Sequence, residues 1–332
     1  MKNPLIGVYG IYKNEQGFMK RFLESVQTAD EIVLCDTGTT DDTNDMIQNF
    51  IKNNPNVKIK MIPICISPWR FDDARNAALS LVSPEIDICI SLNIDEYLME
   101  HWREHLIRQW EEGITSYYHK YKTFWPDGSI SEQLYKRIHI RDGYTWKLPI
   151  HEMLEYKSTE NTKTLQDFCI YYTPIEKIVK PSDISLLEQS VMERKDIWMS
   201  WSFLADGYLK AGRYEAASKA IDTALEIKNC DKAFLYKQKY NIDKFQNKME
   251  TALFYLNTAI FYMPKRRELY VEKAKFLSEI GRNMEAYTTI LEAANKNEKI
   301  IDYHYNPFAW EDTFDRFKEN IYSLAKKEGL EL

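Results

Sequence analysis

Two sets of oxygen-bearing side chains stand out in the first third of this 332-residue chain. Asp36 closes the apolar run Glu31–Cys35 and precedes the polar tract Thr37-Gly38-Thr39-Thr40-Asp41-Asp42-Thr43. A carboxylate at the end of a buried strand points into the crevice at the sheet edge, where it can accept hydrogen bonds from a base or a ribose hydroxyl. As a plain turn residue it would cap backbone N–H groups instead. Asn93-Ile94-Asp95 closes a second apolar run, Ile86–Leu92, and its alternate residues share one face of the chain. Hard divalent cations take oxygen ligands and keep positions for phosphate oxygens, which is the chemistry such a pair suits. Asp73, Arg75 and Asn76 lie between the two sets.

Other candidates are poorer. His101 and His105 have the i,i+4 spacing of metal ligands on a helix, but no third ligand accompanies them, so a solvated helix face is the expectation. The tract around Thr37–Thr40 lacks the lysine of a phosphate-binding loop. The five cysteines, Cys35, Cys65, Cys89, Cys169 and Cys230, are odd in number and have no CxxC spacing. Neither a disulfide framework nor a zinc cluster is favoured, and a reducing cytoplasm is the expected setting.

The elements that must hold these residues follow from apolar periodicity. Leu5–Tyr12, Glu31–Cys35, Val57–Ile66 and Ile86–Leu92 read as strands, and Glu15–Val26, Asn44–Lys52 and Asp72–Leu81 read as helices between them. Such alternation predicts an α/β sheet with its ligand site at the carboxyl edge. The second half is helical. Ala217 and Ala224, Ala252 and Ala259, and Ala286 and Ala293 are three pairs with the same internal spacing, set 35 and then 34 residues apart. That period predicts helix–turn–helix units stacked as a solenoid, closed by a capping helix over Asp312–Lys327. The expected division is an α/β domain over 1–175, a linker over 176–196 and a helical repeat domain over 197–332.

With these residues in view, the chain resembles the family 2 glycosyltransferases of the GT-A (Rossmann-like) fold. IGVYGIYKNE, FLESV and DEIVLCDTGTTDDT are similar to the family's opening; WRFDDARNAALSLV and ISLNIDEYL continue it; Lys136-Arg137, Trp146 and Pro149-Ile150-His151-Glu152 are similar to its later part. The likeness spans roughly residues 4–155. The unit Trp201-x2-Leu204-Ala205-x2-Tyr208, with Gly212-Arg213-Tyr214 and Ala217, resembles a tetratricopeptide repeat.

The resemblance implies that Asp36 holds the uracil or ribose of a nucleoside diphosphate sugar, a UDP-sugar in the first instance, with Tyr12, Asn14 and Glu15 beside it. It places Asp73, Arg75, Asn76 and Asn93 along the nucleotide and diphosphate. Asp95 becomes the catalytic ligand of a Mn²⁺ or Mg²⁺ ion, His151 a second ligand or diphosphate contact, and Glu152 the general base, with Glu96 competing. Asn93 departs from the family, which has Asp there, and brings no charge. The implied reaction is an inverting transfer of a hexosyl or pentosyl group to an acceptor hydroxyl, with sugar selectivity expected in loops around Tyr117–Ile130.

Composition bounds the acceptor. The net charge is −6 and hydrophobic residues make up 44%, so the chain is neither a globally basic nucleic-acid binder nor disordered. No run approaches the ~18 apolar residues of a membrane span. Lysines and aromatics interleave between Lys228 and Lys248, which reads as solvated repeat faces over an aromatic core; the same pattern would suit an anionic acceptor. Glycan, protein and a hydroxymethylated base in DNA are the acceptor classes. Self-association or a protein partner is the second expected use of the repeats. The rival from another class is an inactive scaffold, for which Asn93 speaks.

Overall fold

The computed structural model describes residues 3–126, 130–174, 181–300 and 305–329. It divides into two compact units, Met1–Lys177 and Ile178–Leu332.

In the first unit, β1 (Ile6–Tyr12), β2 (Glu31–Asp36), β3 (Ile59–Pro63) and β4 (Ile88–Ser91) form a parallel block in the order β3-β2-β1-β4. β1, β2 and β4 are apolar runs buried on both faces, as strands covered by helices on both sides must be. The helices are α1 (Gln16–Val26), α2 (Thr43–Asn53) and α3 (Phe71–Ser80). β2 and β4 lie on opposite sides of β1, so the strand order reverses there and a crevice opens at the carboxyl ends of β1 and β4. Gly10 lets those ends approach. A Cβ at that position would sit 2.7 Å from the Leu92 carbonyl oxygen, so no larger residue fits.

The sheet continues as β4-β7-β6-β10-β5, with β5 (Glu96–Leu98), β6 (Ser116–Phe124), β7 (Ile130–Ile140) and β10 (Thr162–Tyr172). β7 is antiparallel to both β4 and β6, which makes the eight-stranded sheet mixed. α4 (Trp102–Gln109) follows β5. The Tyr117–Ile130 region, expected as loops, is largely strand: Tyr117–Phe124 belongs to β6, Ile130 opens β7, and residues 127–129 lie outside the described residues. β6 carries His119 and Thr123 buried in the sheet, so its polar letters hid a buried strand. A separate hairpin of β8 (Tyr144–Lys147) and β9 (Met153–Tyr156) carries the loop with His151 and Glu152.

Behind the crevice runs a buried polar relay. The Trp146 indole donates to the Tyr9 hydroxyl at 2.7 Å, and Tyr9 reaches His139 Nε2 at 2.9 Å. His139 Nδ1 lies 2.7 Å from the Ile140 carbonyl, which can only accept. The neutral ring therefore carries its proton on Nδ1 and accepts from Tyr9. Burial pulls the pKa of His139 down to about 4, and does the same at His119.

The second unit is helical throughout its described elements. α6 (Trp198–Lys210) with α7 (Tyr214–Glu226), α8 (Lys232–Phe245) with α9 (Met249–Tyr262), and α10 (Arg267–Glu279) with α11 (Asn283–Ala294) pack as hairpin pairs. Each of the six paired alanines sits on α7, α9 or α11 with no exposed surface, where a small side chain lets helices approach. α12 (Glu311–Lys327) covers the end, with Phe314, Ile321 and Ala325 buried. The stretch 176–196, expected as a linker, contains a further helix, α5 (Pro181–Glu193). Its Leu187 presses against Gly207 of α6, so the helix is an integral layer of the repeat stack.

Candidate active site

Each half of the crevice is built by a strand end and the loop that follows it. At the end of β2, Asp36 Oδ1 accepts from the backbone of Gly38 at 2.9 Å and Thr39 at 2.8 Å, while Oδ2 accepts from Asn44 Nδ2 at 2.9 Å. Gly38, at φ 108°, supplies the turn. Burial would raise the Asp36 carboxyl, but these donors outweigh it and hold it below the usual range. Asp36 therefore shapes the loop, which is the turn-residue reading of its position.

The same loop is clamped from β1. Asn14, itself at φ 58°, accepts from Thr40 N at 2.7 Å, and Glu15 N donates to Thr43 Oγ1 at 2.9 Å. Tyr12 is buried in the core, and its hydroxyl donates to Asn44 Oδ1 at 2.8 Å. Asn44, which no pattern singled out, thus ties Tyr12 to Asp36. Tyr12, Asn14 and Glu15 build the platform under a ligand, and Tyr12 does not offer its ring to one.

The other half is one polar network. Arg75, buried on α3, donates through Nε to Glu152 Oε1 at 2.8 Å and through Nη2 to Asn93 Oδ1 at 2.6 Å. Its guanidinium lies 5.2 Å from the centre of the Trp146 ring. Asn93 passes the network on. Its Nδ2 donates to Glu96 Oε1 at 3.0 Å and its backbone N–H to Glu96 Oε2 at 2.8 Å. Glu96 is 0% exposed and also accepts from the Tyr121 hydroxyl at 2.9 Å and from Arg137 at 3.0 and 3.1 Å.

This arrangement explains the amide. Arg75 can only donate and the Glu96 carboxylate can only accept, so the residue between them must accept on one side and donate on the other. Asn93 does both; an ionised Asp would turn an oxygen on Glu96. Glu96, saturated with donors and sealed from solvent, is excluded as the competing base. Glu152 is also held by Arg75. Burial would raise its carboxyl, yet the adjacent guanidinium outweighs burial and keeps it below the usual range, hence ionised.

The remaining expected residues divide. Asp95 is 6% exposed at the end of the same strand, and its carbonyl accepts from Arg21 at 2.9 Å. His151 is exposed at φ 54° and Leu148 sits at φ 80°, so the loop holding Glu152 keeps two side chains in the left-handed region. Asp73 is half exposed, 3.5 Å from Arg70, while its neighbour Asp72 is the buried acid, paired with Arg70 at 2.7 Å. Asn76 is committed elsewhere. Its amide donates to the Trp146 carbonyl at 2.9 Å and accepts from the Trp146 N–H at 2.8 Å, tethering β8 to α3. These two hydrogen bonds engage both polar atoms of the Asn76 amide with the β8 backbone.

Among the described residues, no three His, Cys, Asp or Glu side chains gather as a metal cage. Asn93 directs its oxygen to Arg75, leaving Asp95 as the carboxylate of the pair. Such a set fits an ion of the Mg²⁺ type, which binds through one or two carboxylates and completes its shell with substrate phosphates and water. Three of the four lysines of α8 are engaged: Lys239 with Asp222, Lys244 with Glu279 at 2.6 Å, and Lys232 over the Tyr262 ring at 5.2 Å. Among the described residues, no helix is long and apolar enough to cross a membrane.

Comparison with known proteins assigns the first unit to a family. Residues 11–172 match the family described as "Glycosyl transferase family 2". No curated protein matches the chain. A solved structure titled "Crystal structure of MamA" aligns with a TM-score of 0.31 at 12% identity, covering 44% of this chain and 88% of that one; at that score the likeness carries neither fold nor function. The matched span runs from the carboxyl half of β1 to the end of β10 and takes in every strand end and loop described above. Residues 11–172 of this chain are a family 2 glycosyl transferase domain, that is, a glycosyltransferase domain whose donor is a nucleotide sugar.

Proposed function

We propose that the first domain transfers a hexosyl or pentosyl group from a UDP-sugar to a hydroxyl of a glycan or protein acceptor, by a single inverting displacement. The observation that carries this reading is the intact Arg75–Glu152–Asn93–Glu96 network at the crevice between β1 and β4. An ionised carboxylate is held there by the buried Arg75, which also grips Asn93 at the end of β4.

Glu152 is the base. Arg75 orients it through Oε1, and its depressed pKa keeps it ionised, ready to take the acceptor proton as the hydroxyl oxygen bonds to the anomeric carbon and the diphosphate leaves. Asp95, with His151 on the facing loop, would hold a Mn²⁺ or Mg²⁺ ion; such an ion neutralises the charge that develops on the leaving diphosphate. Asp36, Asn14 and Glu15 shape the loop that receives the nucleoside. Asp73, on the exposed side of α3, lines the approach to it.

The helical unit, of which α5 is a layer and whose pairs from α6 to α11 are tetratricopeptide-like, binds the acceptor or a protein partner. The hydroxymethylated-DNA alternative loses ground, because three of the four lysines of α8 lie against ring faces and carboxylates rather than forming a free basic stripe. The inactive-scaffold alternative rested on Asn93, whose amide is what its two neighbours require. The five thiols are free, which suits a reducing cytoplasm.

A panel of nucleotide sugars assayed for release of nucleoside diphosphate, with Mn²⁺, tests the reading. One donor should turn over, Asp95→Ala should abolish release, and Glu152→Gln should lower kcat by about two to four orders of magnitude with KM little changed. Unchanged turnover in either variant removes that residue from the chemistry.

A further inference from the structure

The outer face of α9 carries two large apolar side chains in solvent. Phe254 and Phe261 are 62% and 76% exposed, while Ala252, Leu256 and Ala259 of the same helix are buried in the repeat core. Seven residues apart, the two rings stand on a single stripe of the helix. The repeat itself shows what this face ordinarily carries. In the register set by the alanine pairs, the corresponding residues on α7 are Lys219 and Glu226, and those of the third unit are Thr288 and Asn295. Packing within the repeat therefore does not ask for phenylalanine at either place.

We propose that this stripe joins two copies of the chain by antiparallel packing of α9 on α9. A two-fold axis passing between Asn257 and Thr258 sets Phe254 of one copy on Phe261 of the other, and the reverse, so the patch is complementary to itself. The same operation brings Glu250 opposite Lys265, whose side chains are 88% and 81% exposed. Among the described residues these two make only solvated ion pairs, Glu250 with Arg282 at 3.8 Å and Lys265 with Glu298 at 3.6 Å, too weak to hold them away from a partner. A parallel arrangement would oppose Glu250 to Glu250 and Lys265 to Lys265. The acid at one end of the stripe also disfavours an anionic lipid surface, which would call for basic residues at both. At the axis, Asn257 and Thr258 are small and polar and let the two helices close.

Sedimentation of the full chain at tens of micromolar, the regime of a modest helix-face dimer, should give twice the 39.4 kDa chain mass. Phe254→Glu with Phe261→Glu should be monomeric with its helical circular dichroism retained, because carboxylates then meet across the axis. Glu250→Lys alone should weaken association several-fold at low salt, and adding Lys265→Glu should restore it; this pair tests the register without touching the apolar stripe. A monomeric wild-type chain, a dimer that survives the double Glu substitution, or a charge swap without rescue overturns the proposal. So does co-sedimentation of a monomeric chain with phosphatidylserine vesicles, which would assign the stripe to a membrane.

Discussion

Asn93→Asp restores the residue that the family resemblance leads one to expect, and the structure makes it costly. The substitution replaces the Nδ2–H that donates to Glu96 Oε1 at 3.0 Å with a second carboxylate oxygen. Two unit charges that close repel by about 5 kcal/mol at an effective dielectric of 20. The new charge also meets Arg75, now 2.6 Å from Oδ1, and that attraction is of the same size and offsets the repulsion. What remains is the burial of an extra charge and the loss of one hydrogen bond to a buried carboxylate, together about 2–4 kcal/mol. An upper bound comes from protonation. A protonated carboxyl would reproduce the donor–acceptor pattern of the amide, and keeping an ordinary Asp protonated at neutral pH costs about 4 kcal/mol. Urea unfolding of the full chain, wild type against Asn93→Asp, should therefore show a loss of about 2–4 kcal/mol in the transition of the first domain. A variant as stable as the wild type, or more so, refutes the claim that Asn93 is fixed by its two neighbours.

Arg75→Lys keeps the charge but cannot reach Glu152 and Asn93 together, so thermal unfolding should report a loss of about 2–4 kcal/mol and turnover should collapse; full activity would remove Arg75 from the centre of the site. Asn76→Ala should destabilise by about 1–3 kcal/mol and raise hydrogen exchange across Thr145–Lys147, because the tether to Trp146 is lost. Unchanged stability with weakened nucleotide binding would return Asn76 to the diphosphate wall. His119 and His139 have folded pKa values of about 4, below the ordinary 6.5, so the unfolded chain binds more protons between those limits and stability falls as the pH drops through them. Equilibrium unfolding at about pH 7.5 and about pH 5 should differ by roughly 2 kcal/mol per histidine. A flat profile over that range would mean that these rings are not buried neutral.

The parallel block was legible because its strands are apolar runs, buried on both faces, that end in polar residues. Ile6–Tyr12 and Glu31–Asp36 fall within a residue of their expected bounds. β6 was not legible. SYYHKYKTF has no apolar run, and His119 becomes tolerable inside the sheet only because its ring is neutral and bonded to the Lys120 carbonyl. α5 was hidden by Pro174 ahead of it and Pro181 at its first position, where the chain reads as a connection. At the site, residue types pointed to the right crevice but not to their partners. Asp36, Asn76 and Asn93 look like ligand groups in one dimension, and their hydrogen bonds run instead to a turn, a strand and two side chains distant in sequence. Asn44 and Tyr121 had no signal of their own, since their roles exist only through contacts with Asp36 and Glu96.

The most direct test of the central claim is calorimetric titration of the full chain with a panel of nucleoside diphosphates, with and without Mn²⁺. The crevice between β1 and β4 predicts that UDP binds, that Mn²⁺ strengthens its binding, and that Asp95→Ala removes the metal effect while leaving the fold intact. Absence of binding by every diphosphate to the folded protein, in the presence of Mn²⁺, would contradict the assignment of this crevice as a nucleotide-sugar site.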